Sequence, residues 1–92
     1  MTDLSFRLKV MTPNEIYFEG NVTSVVAPGT IGYFGILKNH APFVSTIEKG
    51  NFTYKDENDH AQTFKVEGGF FEVSQNKAVL LTDQIFRSGV IA

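Results

Sequence analysis

Residues 4–10 read Leu-Ser-Phe-Arg-Leu-Lys-Val, and the alternation within them decides the fold class. Leu4, Phe6, Leu8 and Val10 are apolar, while Ser5, Arg7 and Lys9 between them are polar. A two-residue period puts the apolar set on one face of an extended chain, so the segment predicts a half-buried strand and not a helix. The same signature recurs along the chain. Met11-Thr12-Pro13-Asn14 ends the first strand, and Ile16 to Phe18 leads through Gly20 into the β-branched run Val22-Thr23-Ser24-Val25-Val26. Pro28-Gly29 predicts a turn, and Ile31 to Leu37 a strand interrupted at Gly32 and Gly35.

Further strands are predicted over Phe43–Ile47, Phe52–Lys55, Thr63–Val66, Phe70–Val73 and Ala78–Thr82. Turns at Lys49-Gly50-Asn51, Asp56–His60 and Ser74-Gln75-Asn76 separate them, and Gly68-Gly69 predicts a break in register. No apolar stripe repeats at 3.6 residues. Short strands with frequent turns imply an all-β, flattened sandwich or barrel of about eight to ten strands. The expected organisation is a single sandwich domain over residues 1–84, a short tail over 85–92 and no C-terminal helical domain.

A chain of 92 residues holds one modest core, and without cysteine no disulfide or thiolate supplements it. Eight basic and ten acidic residues are scattered, giving a net charge of −2 and no basic stripe, which excludes phosphate-backbone binding as a working reading. The N-terminus carries no export or import signal, and no segment reaches the roughly 20 apolar residues of a bilayer span. A membrane connection is therefore expected only through a partner. The triplets at Asn21 and Asn51 match a glycosylation pattern, but no secretory signal accompanies them.

Candidate chemistry is sparse. His60 lies in a polar hairpin tip, and neither it nor His40 has metal-ligand spacing to carboxylates. For His40 to activate a nucleophile it would need Ser45, Thr46 or a distant hydroxyl, and no Gly-x-Ser-x-Gly elbow is present. It reads as a structural histidine or as one presented to a protein partner. Gly32, Gly35, Gly50, Gly68 and Gly69 read as structural turns and bends, because no helix follows them to complete a phosphate cradle. Of the nine Phe and three Tyr, Tyr33-Phe34 and Phe70-Phe71 are adjacent pairs, so one member of each must face outward.

Taken in order, Gly32-Tyr33-Phe34-Gly35-Ile36-Leu37, His40-Ala41-Pro42, Gly50, Gly68-Gly69-Phe70 with Glu72-Val73, then Leu81 and Asp83 resemble the N-terminal domain of the epsilon subunit of rotary F-type ATP synthases. The resemblance spans essentially the whole chain. It implies a ten-stranded β-sandwich that is a non-catalytic central-stalk subunit of a proton-translocating synthase, without cofactor or metal. Such a subunit grips the gamma subunit with one face, rests on the c-ring by its loops and couples ion-driven rotation to ATP synthesis. It would lie peripherally on the cytoplasmic side of a bacterial membrane, and the isolated chain would be a monomer.

The resemblance implies partner contacts at Tyr33, Phe34, Lys38, Asn39 and His40, with Ala41-Pro42 stiffening the loop. Two departures stand out. Tyr33 replaces an acidic residue common in relatives, and Lys38-Asn39 replace Pro-Gly. The chain also stops where relatives continue into a helical hairpin, so inhibition by that hairpin and ATP sensing are not expected here. The competing readings are a generic β-sandwich module recognising protein or glycan through outward aromatics, and a small hydrolase using His40.

Overall fold

The computed structural model describes residues 3–87. They form seven strands: β1 (Phe6–Met11), β2 (Ile16–Gly29), β3 (Gly32–Ile36), β4 (Phe43–Thr46), β5 (Gly50–Asp56), β6 (Ala61–Ser74) and β7 (Lys77–Arg87). The order of neighbours is β1-β7-β6-β5-β2, and β1 also pairs with β2, so these five close on themselves. β3 flanks β2 and β4 flanks β6, each along its one paired edge. All pairings are antiparallel except β1 with β7, which is parallel.

The expected sandwich is present, and its strand count depends on how the long strands are divided. Residues 16–22 of β2 pair with β1 and 22–26 with β5. β6 pairs with β5 up to Val66 and with β4 from Phe70, while β7 pairs with β1 only over residues 77–81. Each long strand therefore serves both layers, and three divided strands beside four undivided ones make ten segments.

The corners explain why sequence reading saw breaks where the chain is continuous. In β2 the turn is a bulge between Val22 and Ser24. In β6 it is Gly68-Gly69, with φ of +79° and +111°, yet the register with β7 is unbroken, since Glu67↔Gln84 and Gly69↔Thr82 keep the same offset. β7 bends along with β6, so no residue is gained or lost. A Cβ on Gly69 would run into the Leu81 carbonyl oxygen and the Thr82 Cα, so only glycine lets the two backbones come this close. The buried Thr82 hydroxyl lies 2.7 Å from the Gly68 carbonyl and 3.1 Å from that of Gln84, satisfying the backbone where the strand bends. The turn expected at Pro28-Gly29 falls two residues later, at Thr30-Ile31. Pro28 still pairs with Tyr33 in β3 but lies past the last β2–β5 pair, where β5 does not call for the donor it lacks. β7 runs on to Arg87, so residues 85–87 of the expected tail are strand, and residues 88–92 lie outside the described residues.

The core fills the space between the layers with Leu8, Val10, Val22, Val25, Ile36, Phe52, Val66, Phe71 and Leu80. Phe71 is its aromatic centre, 5.3 Å from the ring of Phe34 and 6.3 Å from that of Phe52. A second group, in which Phe18 stacks on Tyr54 at 4.3 Å and Tyr54 lies by Phe64, fills the other end. Each adjacent aromatic pair splits as the period demands. Phe71 is fully buried while Phe70 is 57% exposed, and Phe34 packs inward while Tyr33 is 58% exposed. Phe71→Ala is accordingly expected to cost about 3–5 kcal/mol in urea unfolding and Phe70→Ala less than about 1 kcal/mol; equal losses would mean that the two faces are misassigned.

Candidate functional site

Residues directly opposite on paired strands share a face, so the ladder registers assemble the outer surfaces. Phe70 stands opposite both Thr46 and Leu81, and Leu81 opposite Met11, which makes a row of Thr46, Phe70, Leu81 and Met11 across β4, β6, β7 and β1. The next row outward is Val44, Glu72, Val79 and Lys9. Val44, Phe70 and Leu81 are exposed. This is an apolar row flanked by charges, Glu72 and Lys9 on one side and Asp83 beyond Leu81 on the other, the type of surface that partners cover. Sequence reading marked only that one of Phe70 and Phe71 faces outward, and did not place Phe70, Val44, Leu81 or Met11 among the contact residues. Their signal was the pairing of β6 with both its neighbours, which cannot be assigned before the register is known.

The stretch 32–42 does not form one loop. Gly32 to Ile36 are strand β3, with Gly35 in the regular ladder opposite Val26. Tyr33 lies at its start and Lys38 to Pro42 follow its end, about 16 Å along an extended chain. Tyr33 does not stand free, because its hydroxyl accepts a 3.0 Å hydrogen bond from the Asn51 amide. The ring lies over Gly50, where a Cβ would fall 2.6 Å from the Tyr33 oxygen and 2.9 Å from Pro28. Phe34 faces inward between Phe43 and Phe71. The missed residue at this end is Ile31, fully exposed on the β2–β3 turn.

At the other end of β3, Lys38 Nζ donates to the Asp3 carbonyl at 2.7 Å, and Asn39, at φ +67°, pairs with Asn76. His40 Nδ1 lies 2.7 Å from the Ala41 carbonyl, which can only accept, so Nδ1 carries the proton. Its ring packs edge-on against Phe43, 5.6 Å between centroids. Ser45 Oγ donates to the Thr46 carbonyl and not to His40, so the pair required of a hydrolase is not assembled. His60 faces Asp56 at 3.8 Å on the β5–β6 hairpin tip. Among the described residues no three His, Cys, Asp or Glu side chains are placed to hold a metal, and no helix is long and apolar enough to cross a membrane.

Two carboxyls are perturbed, Asp56 at the β5–β6 turn and Asp3 just ahead of β1. Asp56 is held below its ordinary value chiefly by the His60 amide. Asp3 is lowered by the Ser5 amide first, then the Ser5 hydroxyl, then the charge of Lys38. Asp3 is open to solvent and Asp56 partly so, and each carboxylate bonds the amides of residues that closely follow it.

A family model described as the ATP synthase delta/epsilon chain β-sandwich domain matches residues 5–88. The chain belongs to this family. The epsilon chain of Chlorobium limicola is 44% identical over 84 residues, which are 91% of this chain and 96% of that one. That of Leptospira borgpetersenii is 42% identical over 76 residues, covering 83% of this chain and 59% of the relative. A solved structure of the Euglena gracilis mitochondrial ATP synthase, containing OSCP, F1 and c-ring, holds a chain that matches at a TM-score of 0.90. With 17% identity over all of this chain and 59% of that one, it speaks for the fold. The family's epsilon chains are subunits of the synthase and not its catalytic ones.

Two measurements check the local geometry of this epsilon-family domain. Gly50→Ala is expected to cost about 1–3 kcal/mol, and less when Tyr33→Ala has removed the ring above it; additive costs in a double-mutant cycle would rule out that contact. In an NMR titration, Ser5→Ala should raise the Asp3 pKa more than Lys38→Met does. Since the folded value is depressed, what Asp3 adds to stability is present above the ordinary carboxylate range and is lost as pH falls through the folded value. The reverse order of the two shifts would mean that the Lys38 charge outweighs the Ser5 hydroxyl at this carboxyl, the Ser5 amide being kept in both variants.

Proposed function

We propose that this chain is a central-stalk subunit of a bacterial proton-translocating ATP synthase, peripheral on the cytoplasmic side, linking gamma to the c-ring. The observation that carries the reading is the apolar outer face of Phe70, Leu81, Val44 and Met11 on a domain of this family. An uncovered face of this kind suits a permanent neighbour, and in this reading gamma covers it. The two ends of β3 supply the remaining contacts, with Tyr33 and Ile31 at one and Lys38-Asn39-His40-Ala41-Pro42 at the other. Phe34 supports the strand from within. The task is mechanical, since a joint that transmits torque must resist shear, and a closed barrel with every long strand shared between layers does so.

Tyr33 accepts a hydrogen bond from the Asn51 amide through its hydroxyl oxygen, which ties its ring to the start of β5 and suits a fixed contact residue. The rotor reading is tested by adding the chain to a bacterial synthase core depleted of its own epsilon. Proton-driven ATP synthesis should recover, and Phe70→Asp with Leu81→Asp should weaken co-purification with gamma at least about tenfold while the domain stays folded. Failure of the unaltered chain to join gamma would overturn the rotor reading.

A further inference from the structure

We propose that Asn76, in the turn between β6 and β7, is the positioning residue for the contact loop 38–42, so that engagement of the rotor through that loop depends on a side chain 37 positions away in sequence. The inference rests on the reading of this loop as a rotor contact. Its ground is a reciprocal pair. Asn76 Oδ1 accepts from the Asn39 backbone amide at 2.7 Å, and Asn76 Nδ2 donates to Asn39 Oδ1 at 3.0 Å. The Asn76 carbonyl in turn accepts from the Arg7 amide at 2.9 Å. One residue thus joins the β3–β4 loop, the β6–β7 turn and the start of β1.

The other bonds of the loop do not do this. The His40 amide bonds within the loop to Leu37, and His40 Nδ1 bonds to its own neighbour Ala41. Among the described residues, the only other hydrogen bond from the loop to a distant segment is that of the Lys38 ammonium, on a long flexible stem, to the Asp3 carbonyl. The Asn39 amide belongs to the backbone, so fixing it fixes the height and orientation of the loop where His40 emerges.

The turn alone does not require asparagine. Gln75 and Asn76 have φ of +52° and +62°, the pattern of a type I′ hairpin turn, and glycine satisfies such a position at least as well. What glycine cannot supply is the carboxamide. Asn76→Gly therefore separates the clasp from the turn, and Asn76→Asp keeps the acceptor for the Asn39 amide while a flipped Asn39 side chain donates to its second oxygen.

The test follows exchange of the Asn39 amide proton by NMR together with binding of the full chain to a gamma–c-ring subassembly. Asn76→Gly should speed exchange about tenfold and weaken binding by a similar factor, with the thermal midpoint nearly unchanged, and Asn76→Asp should restore both to within about threefold. Should Asn76→Gly fail to fold, Asn39→Gly keeps the left-handed backbone, removes the other half of the pair and should act in the same direction. The proposal is overturned if Asn39 exchange does not change, if aspartate does not restore binding, or if exchange rises while binding holds although His40→Ala weakens it. If neither Asn76→Gly nor His40→Ala affects binding, the loop is not a contact, and the reading beneath the proposal falls with it.

Discussion

The close approach of Gly69 to Leu81 and Thr82 is the contact on which the domain's shape depends. β6 and β7 form the longest hairpin of the fold, and at this point both turn from one layer into the other without losing register. A side chain at Gly69 would hold the backbones apart and straighten the hairpin, and β4 could then no longer meet the upper half of β6 while β5 meets the lower half. Strand bends elsewhere in the barrel have more latitude. The bulge in β2 absorbs its corner by a slip in pairing, whereas this corner has only the missing Cβ and the Thr82 hydroxyl beneath it.

The same corner produces the outer face proposed to meet gamma. Immediately after Gly69 the alternation resumes with Phe70 outward and Phe71 inward, so one residue anchors the exposed face and the next anchors the core. Function and stability are therefore adjacent in sequence but on opposite sides of one sheet. That arrangement lets the outer face vary in chemistry while the interior remains packed.

The fold was legible in the sequence to the extent that it is written in a two-residue period. The alternation from Phe6 to Val10, the β-branched run at Val22 and the turn residues at Ser74-Gln75-Asn76 all lead to the observed strands, whereas Leu4, expected on the buried face of the first strand, lies ahead of β1 and is exposed. Strand continuity was not legible, because glycine at positive φ and a bulge look the same in sequence as a turn. The candidate site was half legible. Phe70 and Tyr33 could be singled out as members of adjacent aromatic pairs, but Leu81, Val44 and Met11 join them only through cross-strand register. Asn39 and Asn76 meet only because the sandwich brings two turns to the same end.

β1 closes the barrel by pairing with β7 in parallel, residue 7 against residue 77. That pairing links strands from opposite ends of the sequence, so on the ribosome the barrel cannot shut until nearly all of it has been made. At about 5–20 residues per second, roughly 4–14 seconds separate the synthesis of the two strands. During that interval Leu8 and Val10 have one neighbour, β2, and an open edge on the other side. The N-terminal hairpin of this rotor-family domain is thus exposed to mispairing early in its life, and it is the last-made strand that protects it.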